Sequence, residues 1–332
     1  MTVPLNADAE RVLVLGATGT IGRATARAVL ASGRRAVCLV RPASKDRPVA
    51  TALADLGAEI RVGDPTRAES IAEDGVRGAP VAAVISCMAS RTGAPEDAWA
   101  IDHDAQVEAL KAAQAAGVPH FVLLSAICVQ KPRLAFQHAK LAFEEKLAAS
   151  GLRYSIVRPT AYFKSLSGQI DRVRRGKPYL LFGDGEVTAC KPISDDDLAL
   201  YLVGCLDAPE RWDRILPIGG PGEALTPRRQ GELMFEAFGL EPKFQRVPLA
   251  LMDAIAGGLG ALSNLAPPLA AKAEFARIGR YYARESMLVY DAETDRYDAG
   301  ATPSFGTETL GDYFRKVAAG EANPERGDHA VF

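Results

Sequence analysis

The sequence predicts a doubly wound α/β fold: one parallel sheet with helices on both faces, followed by a smaller, interleaved C-terminal substrate region. Three observations carry that expectation. Short β-branched apolar runs alternate with helical stretches through the first half, a glycine triplet joins the first run to the first helix, and after Pro159 the alternation weakens without a linker, repeat or low-complexity tract. Runs this uniformly apolar are what a strand buried on both faces requires.

The first run, "RVLVLG" (Arg11–Gly16), leads into "GATGTIG", with a helix expected over Ile21–Ser32. Gly16, Gly19 and Gly22 form G-x-x-G-x-x-G directly after a strand and at the opening of a helix. Missing side chains let the backbone approach a pyrophosphate at the helix N-terminus; the plainer alternative is a tight strand-to-helix turn. Thr18, Thr20 and Ile21 complete the expected cofactor loop. The second run, "RAVCLV" (Arg35–Val40), ends at Arg41, followed by Ser44, Lys45 and Arg47. An NAD site usually places Asp or Glu here to accept from the ribose hydroxyl. Arg41 can instead stack on adenine and grip a 2′-phosphate as a fork, with Ser44 and Lys45 beside it, so NADPH is expected over NADH.

The runs "AEIRVG" (Ala58–Gly63) and "VAAVISC" (Val81–Cys87) place Asp64, Ser86 and Cys87 at strand ends, where such sheets hold the rest of the cofactor. A helix is expected over Ala105–Ala116, then strands at "HFVLLSA" (His120–Ala126) and "YSIVRP" (Tyr154–Pro159). "DRILPIGG" (Asp213–Gly220) reads as one more strand, returning to the central sheet. Thr226–Gly239 reads as a helix capped by Thr226 with Pro227 in its first turn. The expected division is an NADPH-binding domain over 8–160 and a mainly substrate-binding region over 161–332.

A net charge of -2 gives no field that would favour nucleic acid. Five scattered cysteines without a C-x-x-C pair suggest neither a disulfide framework nor a zinc site and fit a reducing cytoplasm; the four histidines share no ligand spacing, so no metal is expected. "MTVPLNADAE" lacks the segments of a secretory signal. The stretch Leu249–Ala271 is long enough to cross a bilayer. Asp253, Asn264, Gly257–Gly258 and Pro267–Pro268 argue instead for a core helix followed by a loop, or for an apolar wall over a greasy ligand.

The stretch "SAICVQKPRLAFQHAK", Ser125 to Lys140, holds the chemical question. A carbonyl-reducing dehydrogenase of the short-chain type carries Tyr four residues before its Lys, and here that residue is Phe136. Lys140 can still hold the nicotinamide ribose hydroxyls, and an apolar neighbourhood would ease proton donation; the alternative is an exposed lysine paired with Glu144 at i,i+4. Ser125 and Cys128 should lie near the nicotinamide. Tyr162, Phe163 and Lys164 follow the sixth run where a substrate cleft should begin, with Tyr162 the reserve proton donor.

Taken together, "GATGTIG", "LSAICVQKP", "FQHAKLAFEEKL", "YSIVRPTAYFKSLSGQI", "FGDG", "CKPISDDDLA", "LPIGGPGEALTPRRQGE" and "RIGRYYARESMLVYD" resemble the NADPH-dependent divinyl (proto)chlorophyllide a 8-vinyl reductases, atypical short-chain dehydrogenase/reductases with a Rossmann-like fold. The resemblance runs from about residue 10 to about 315. It implies reduction of a C8 vinyl group to ethyl on the path to chlorophyll or bacteriochlorophyll, in a cytoplasmic protein or one peripheral to the photosynthetic membrane. The lack of a transit peptide points to a bacterial member. A conjugated vinyl group has no carbonyl oxygen to protonate, so Phe136 is compatible with that chemistry and offers a face to the nicotinamide or macrocycle. A tetrapyrrole needs an apolar slot and a cation for its propionate. Cys128, Phe136, Phe163, Lys164 and Arg280 are the substrate candidates, with Phe182, Arg172, Arg174, Arg175, Lys177, Arg277 and Arg284 and with Tyr281 and Tyr282 behind them. Two alternatives share the cofactor loop: a reductase of another conjugated alkene, and a non-catalytic NADPH-sensing or assembly protein.

Overall fold

Seven strands build the main sheet: β1 (Arg11–Leu15), β2 (Arg35–Val40), β3 (Glu59–Val62), β4 (Ala83–Ser86), β5 (His120–Leu124), β6 (Arg153–Pro159) and, after the short β7 (Tyr179–Phe182), β8 (Arg214–Ile218). The computed structural model describes residues 10–78, 80–263 and 267–323. The sheet order is β3-β2-β1-β4-β5-β6-β8 and every pairing in it is parallel. The order reverses between β1 and β4, which opens a crevice at the carboxyl ends of those strands, where such sheets bind ligands.

The apolar runs divide by alternation. Val12, Val14, Ile85, Val122 and Val157 face one side, against the helices Thr20–Ala31 and Asp195–Gly204; Leu13, Leu15, Val84, Phe121 and Leu123 face the other, against Ala105–Ala115 and Ala135–Ala148. A strand's two faces receive alternate residues, so both must be apolar when helices cover both. The Asp195 helix starts on Ser194, whose hydroxyl accepts from the Asp197 N–H. The helix Pro227–Ala237 starts on Thr226 in the same way, with Pro227 in its first turn.

The second region has its own core. Phe163, Ile170, Tyr179, Leu181, Phe235 and Phe314 cluster beneath a two-stranded parallel sheet of β7 and β9 (Phe244–Val247). The stretch expected as a core helix and a loop is two helices, Leu249–Ser263 and Pro267–Tyr282. Pro267 opens the second one, since a proline at the first helical positions lacks only an N–H that has no intrahelical partner there. Leu251 on the first is 51% exposed and none of that helix's residues with a described burial is buried, so among them no core face is found. No described helix is long and apolar enough to cross a membrane.

One buried polar contact sets a pH dependence. His120, at the start of β5, is 3% exposed; its Nε2 lies 3.0 Å from Ser155 Oγ, which itself donates to the Arg211 carbonyl at 2.8 Å. Burial first, and Arg153 second, push the imidazole down from 6.5 to about 4. The unfolded chain therefore binds this proton at a higher pH than the folded one. The stability held by the neutral ring is complete above about pH 6.5 and is lost as pH falls toward 4, an amount of about 3 kcal/mol. Urea unfolding at pH 7 and at pH 4.5 should show wild type losing roughly 2–3 kcal/mol more than His120→Gln between the two conditions. Equal losses would remove His120 as the cause.

Candidate active site

The glycine loop is a cradle defined by close approaches. Gly16 has φ +76°, and a Cβ there would lie 2.8 Å from the Cys87 carbonyl carbon and oxygen; at Gly22 a Cβ would stand 2.1 Å from the Gly16 carbonyl oxygen. Neither position admits a side chain. Gly19 precedes the Thr20 helix, its N–H donating to the Gly16 carbonyl at 2.9 Å. No side chain caps that helix and no acidic residue sits in its first turn, so its N–H groups face outward as an anion site would need. Thr18 is half-buried in the turn, while Ile21 points into the core. Lys164 reaches across and donates from Nζ to Thr20 Oγ1. The residue assigned above to substrate thus brings a positive charge to the mouth of the glycine loop.

At the other end of the crevice, Arg41 is exposed immediately after β2, and a tight turn, Pro42–Ser44, returns the Ser44 N–H to the Arg41 carbonyl at 2.8 Å. Lys45 is exposed beside it, whereas Ser44 is buried. Asp64 follows β3 and is already engaged: its Oδ1 accepts from the Thr66 hydroxyl at 2.7 Å and the Thr66 N–H at 2.9 Å. The Thr66 hydroxyl chiefly, and Arg41 among the weaker causes, hold this carboxyl below its ordinary value. Two exposed cations, Arg41 and Lys45, thus stand near a carboxylate turned to its own loop.

Between these ends lie the carboxyl termini of β4, β5 and β6. Ser86 turns inward, donating to Gln106 Oε1 at 2.8 Å; Ser125 does likewise, donating to Glu144 Oε1 at 2.5 Å. Glu144 also receives the Arg158 guanidinium. The alternative of a Glu144–Lys140 pair is therefore not the one the structure forms. Lys140 is 9% exposed, and its Nζ meets Asp102 Oδ1 at 2.9 Å. Its neighbourhood is a carboxylate rather than purely apolar side chains. Asp102 is the residue that sequence reasoning passed over: nothing in "WAIDHD" marks it, and a π-helical turn, Trp99–Asp104, carries it to Lys140.

Cys128 lies near Lys140, and two phenols, Tyr162 and Tyr282, lie near Cys128. Cys87 is pushed up to about 12 by burial. Burial also raises the Cys128 thiol and the hydroxyls of Tyr162 and Tyr282, and Cys128 adds to the shift of both phenols. All four stay protonated and uncharged near neutral pH. Tyr282 is 39% exposed as a residue, yet its hydroxyl is tucked 3.8 Å from Cys128 Sγ; Tyr281 donates to the Cys128 and Lys131 carbonyls, both at 3.0 Å. The Pro267 helix is thus fastened across the loop after β5. Phe136 is half-buried against the cluster of Cys128, Leu134, Ile278 and Tyr281.

Other expected substrate contacts lie elsewhere. Phe163 is 3% exposed and packs in the second core, its ring 5.3 Å from that of Tyr313. Arg280 and Arg284 both bind Asp253, at 2.6 Å each, joining the two helices 249–263 and 267–282, and Arg277 binds Glu274 at 3.0 Å. Arg172 donates to the Pro178 carbonyl at 2.5 Å. Basic residues that a sequence offers to a propionate are here largely tied to the protein itself.

A family model described as NAD(P)H-binding matches residues 16–209. The chain is 47% identical over 338 residues to a divinyl chlorophyllide a 8-vinyl-reductase of Zea mays, covering 99% of this chain and 84% of that protein. It is 29% identical over 246 residues to a photosystem II assembly factor of Trieres chinensis, covering 74% of each. Among solved structures, leucoanthocyanidin reductase from Vitis vinifera with NADPH superposes with a TM-score of 0.66 at 18% identity, covering 93% of this chain and 99% of that one. That last likeness is one of fold.

The cradle makes a testable claim. Gly19 is exposed, its φ is an ordinary -81°, and a Cβ there would meet only the Gly16 carbonyl oxygen, at 3.3 Å. Gly19→Val should fold normally by circular dichroism but close the helix N-terminus to phosphate. Calorimetry should then find nicotinamide-dinucleotide affinity reduced by at least about 100-fold, two pyrophosphate-to-N–H contacts at roughly 1.5 kcal/mol each. Undiminished affinity would place the pyrophosphate elsewhere.

Proposed function

The chain belongs to the divinyl chlorophyllide a 8-vinyl-reductase family, and on that premise we propose how its own residues reduce the C8 vinyl group of divinyl chlorophyllide a to ethyl with NADPH. The observation that carries the activity is the reach of the likeness. It extends through the second half, far beyond the cofactor fold shared with many reductases, and over more of the chain and at higher identity than the likeness to assembly factors.

The uncapped helix and the bare glycines would take the pyrophosphate, with Lys164 beside it, and Arg41 and Lys45 would take a 2′-phosphate. The reduced nicotinamide, when bound, supplies a hydride for the terminal vinyl carbon. Lys140, held by Asp102, would bind the ribose hydroxyls. The charge left on the substrate spreads into the macrocycle, so no oxyanion has to be protonated and Phe136 can stand where carbonyl chemistry would need a phenol. Its ring, set on the Cys128 and Ile278 cluster, gives the macrocycle an apolar face. Tyr162, which burial keeps protonated, is the group to which we assign the proton for the adjacent carbon. An apolar substrate also suits work at the surface of a photosynthetic membrane from the cytoplasmic side; the helix Leu249–Ser263, with Asp253 its one charged residue and Leu251 exposed, is the surface we assign to that contact.

Purified protein with NADPH and divinyl chlorophyllide a should yield the 8-ethyl product by chromatography, with one NADPH consumed per vinyl group. NADPH binding without consumption would favour the assembly-factor alternative. Arg41→Asp should reverse cofactor preference, weakening NADPH and improving NADH relative to it, as read from kcat/KM for each; an unchanged ratio removes Arg41 from the site. In single-turnover reduction, Phe136→Tyr should give no acceleration, because a phenol there meets no substrate oxygen. Lys140→Ala should be slower by about 10²–10⁴-fold. A large gain from the tyrosine, or a wild-type rate without the lysine, overturns this division of roles.

A further inference from the structure

We propose that Asp102 is the positioning residue of the reduction: its carboxylate fixes the Lys140 ammonium relative to the glycine cradle. The assignment rests on the reductase reading. Asp102 is 2% exposed and Lys140 9%, so their 2.9 Å contact is a buried ion pair. Such a pair is a poor way to stabilise a fold, because removing two charges from water offsets most of their attraction unless every polar atom finds a partner. Here one does not. Asp102 Oδ2 is buried and takes no hydrogen bond. A half-satisfied carboxylate held against a lysine is accounted for by what the lysine does.

The geometry says what is being held. Asp102 Oδ1 also accepts from the Ser90 N–H at 3.3 Å, and one helical turn on, Gln106 grips the same segment by accepting from Ser86 Oγ at 2.8 Å and donating to the Met88 carbonyl at 3.1 Å. That segment is what Gly16 presses on, through the Cys87 carbonyl and the Met88 nitrogen. A continuous path therefore runs from Lys140 through Asp102 and residues 86–90 to the loop that would hold the pyrophosphate. The π-helical turn Trp99–Asp104 is what brings the carboxylate there between the helices Pro95–Ala98 and Ala105–Ala115. Irregular turns of this kind are retained where a side chain must be re-aimed.

A double-mutant cycle tests this with two readouts. Asp102→Asn keeps the shape and removes the charge. It should weaken NADPH binding by calorimetry about 10-fold, the scale on which partners of ligand-holding groups act. It should slow single-turnover reduction about 10²-fold, the cost of a misplaced reacting group. Because Asp102 acts through Lys140, adding Asp102→Asn to Lys140→Met should change neither quantity further; a purely structural carboxylate would give additive losses. The Lys140→Met background also covers the case in which Asp102→Asn alone fails to fold, since no buried ammonium is then left unpaired. Additive losses, or wild-type binding and rate in Asp102→Asn, overturn the proposal. If the wild-type protein binds NADPH without reducing the vinyl group, the reductase reading fails, and the binding arm of the cycle still decides Asp102 by itself.

Discussion

Everything at this site depends on one close approach of backbone to backbone. The turn after β1 lies so tightly against the end of β4 that Gly16 touches the Cys87 carbonyl and Gly22 touches Gly16, with no volume for a Cβ at either. Because Gly16 also sits at positive φ, a side chain there would meet both a clash and a strained backbone. The contact fixes where the first helix begins and leaves its N–H groups uncovered. It also makes residues 86–90 part of the cradle, so whatever holds that segment also holds the glycine loop.

What holds it is a set of inward-facing polar side chains. Ser86 and Ser125 end adjacent strands, yet their hydroxyls go to Gln106 and Glu144. Glu144 in turn takes Arg158 from β6, tying the Ala135 helix to two strands at once. The strand ends are thereby rigid without presenting hydroxyls to the cleft. Beside them stand thiols and phenols held neutral by burial, and two engaged ammonium groups, Lys140 on Asp102 and Lys164 on Thr20.

The second region supplies closure by the same economy of groups. Tyr281 and Tyr282 pin the Pro267 helix to the loop carrying Cys128, while Arg280 and Arg284 hold that helix to its neighbour through Asp253. Both arginines, Arg280 on the Pro267 helix and Arg284 just past its end, are engaged before any ligand arrives. A substrate carboxylate must therefore compete with Asp253 to recruit them.

The amino-acid sequence alone was enough for the sheet, the glycine cradle and the first helix, because these follow from local rules. Apolar runs such as Arg11–Leu15 must be strands buried on both faces, and glycines at 16, 19 and 22 answer to backbone sterics within a few residues. The family was legible too, from strings such as "RIGRYYARESMLVYD" in the second half as well as from the glycine loop. Partners of charged side chains were not legible. Glu144 lies four residues after Lys140 on one helix, a spacing that allows their pairing; Arg158 from β6 takes Glu144 instead, and Asp102, 38 positions earlier, takes Lys140. Phe163 likewise follows the strand that ends at the cleft but is drawn into a separate core by Tyr313 and Phe314. Local periodicity decides which face of an element is apolar. Which charge meets which inside the molecule is decided by where distant elements pack, since burial removes the water that would otherwise serve every charge alike.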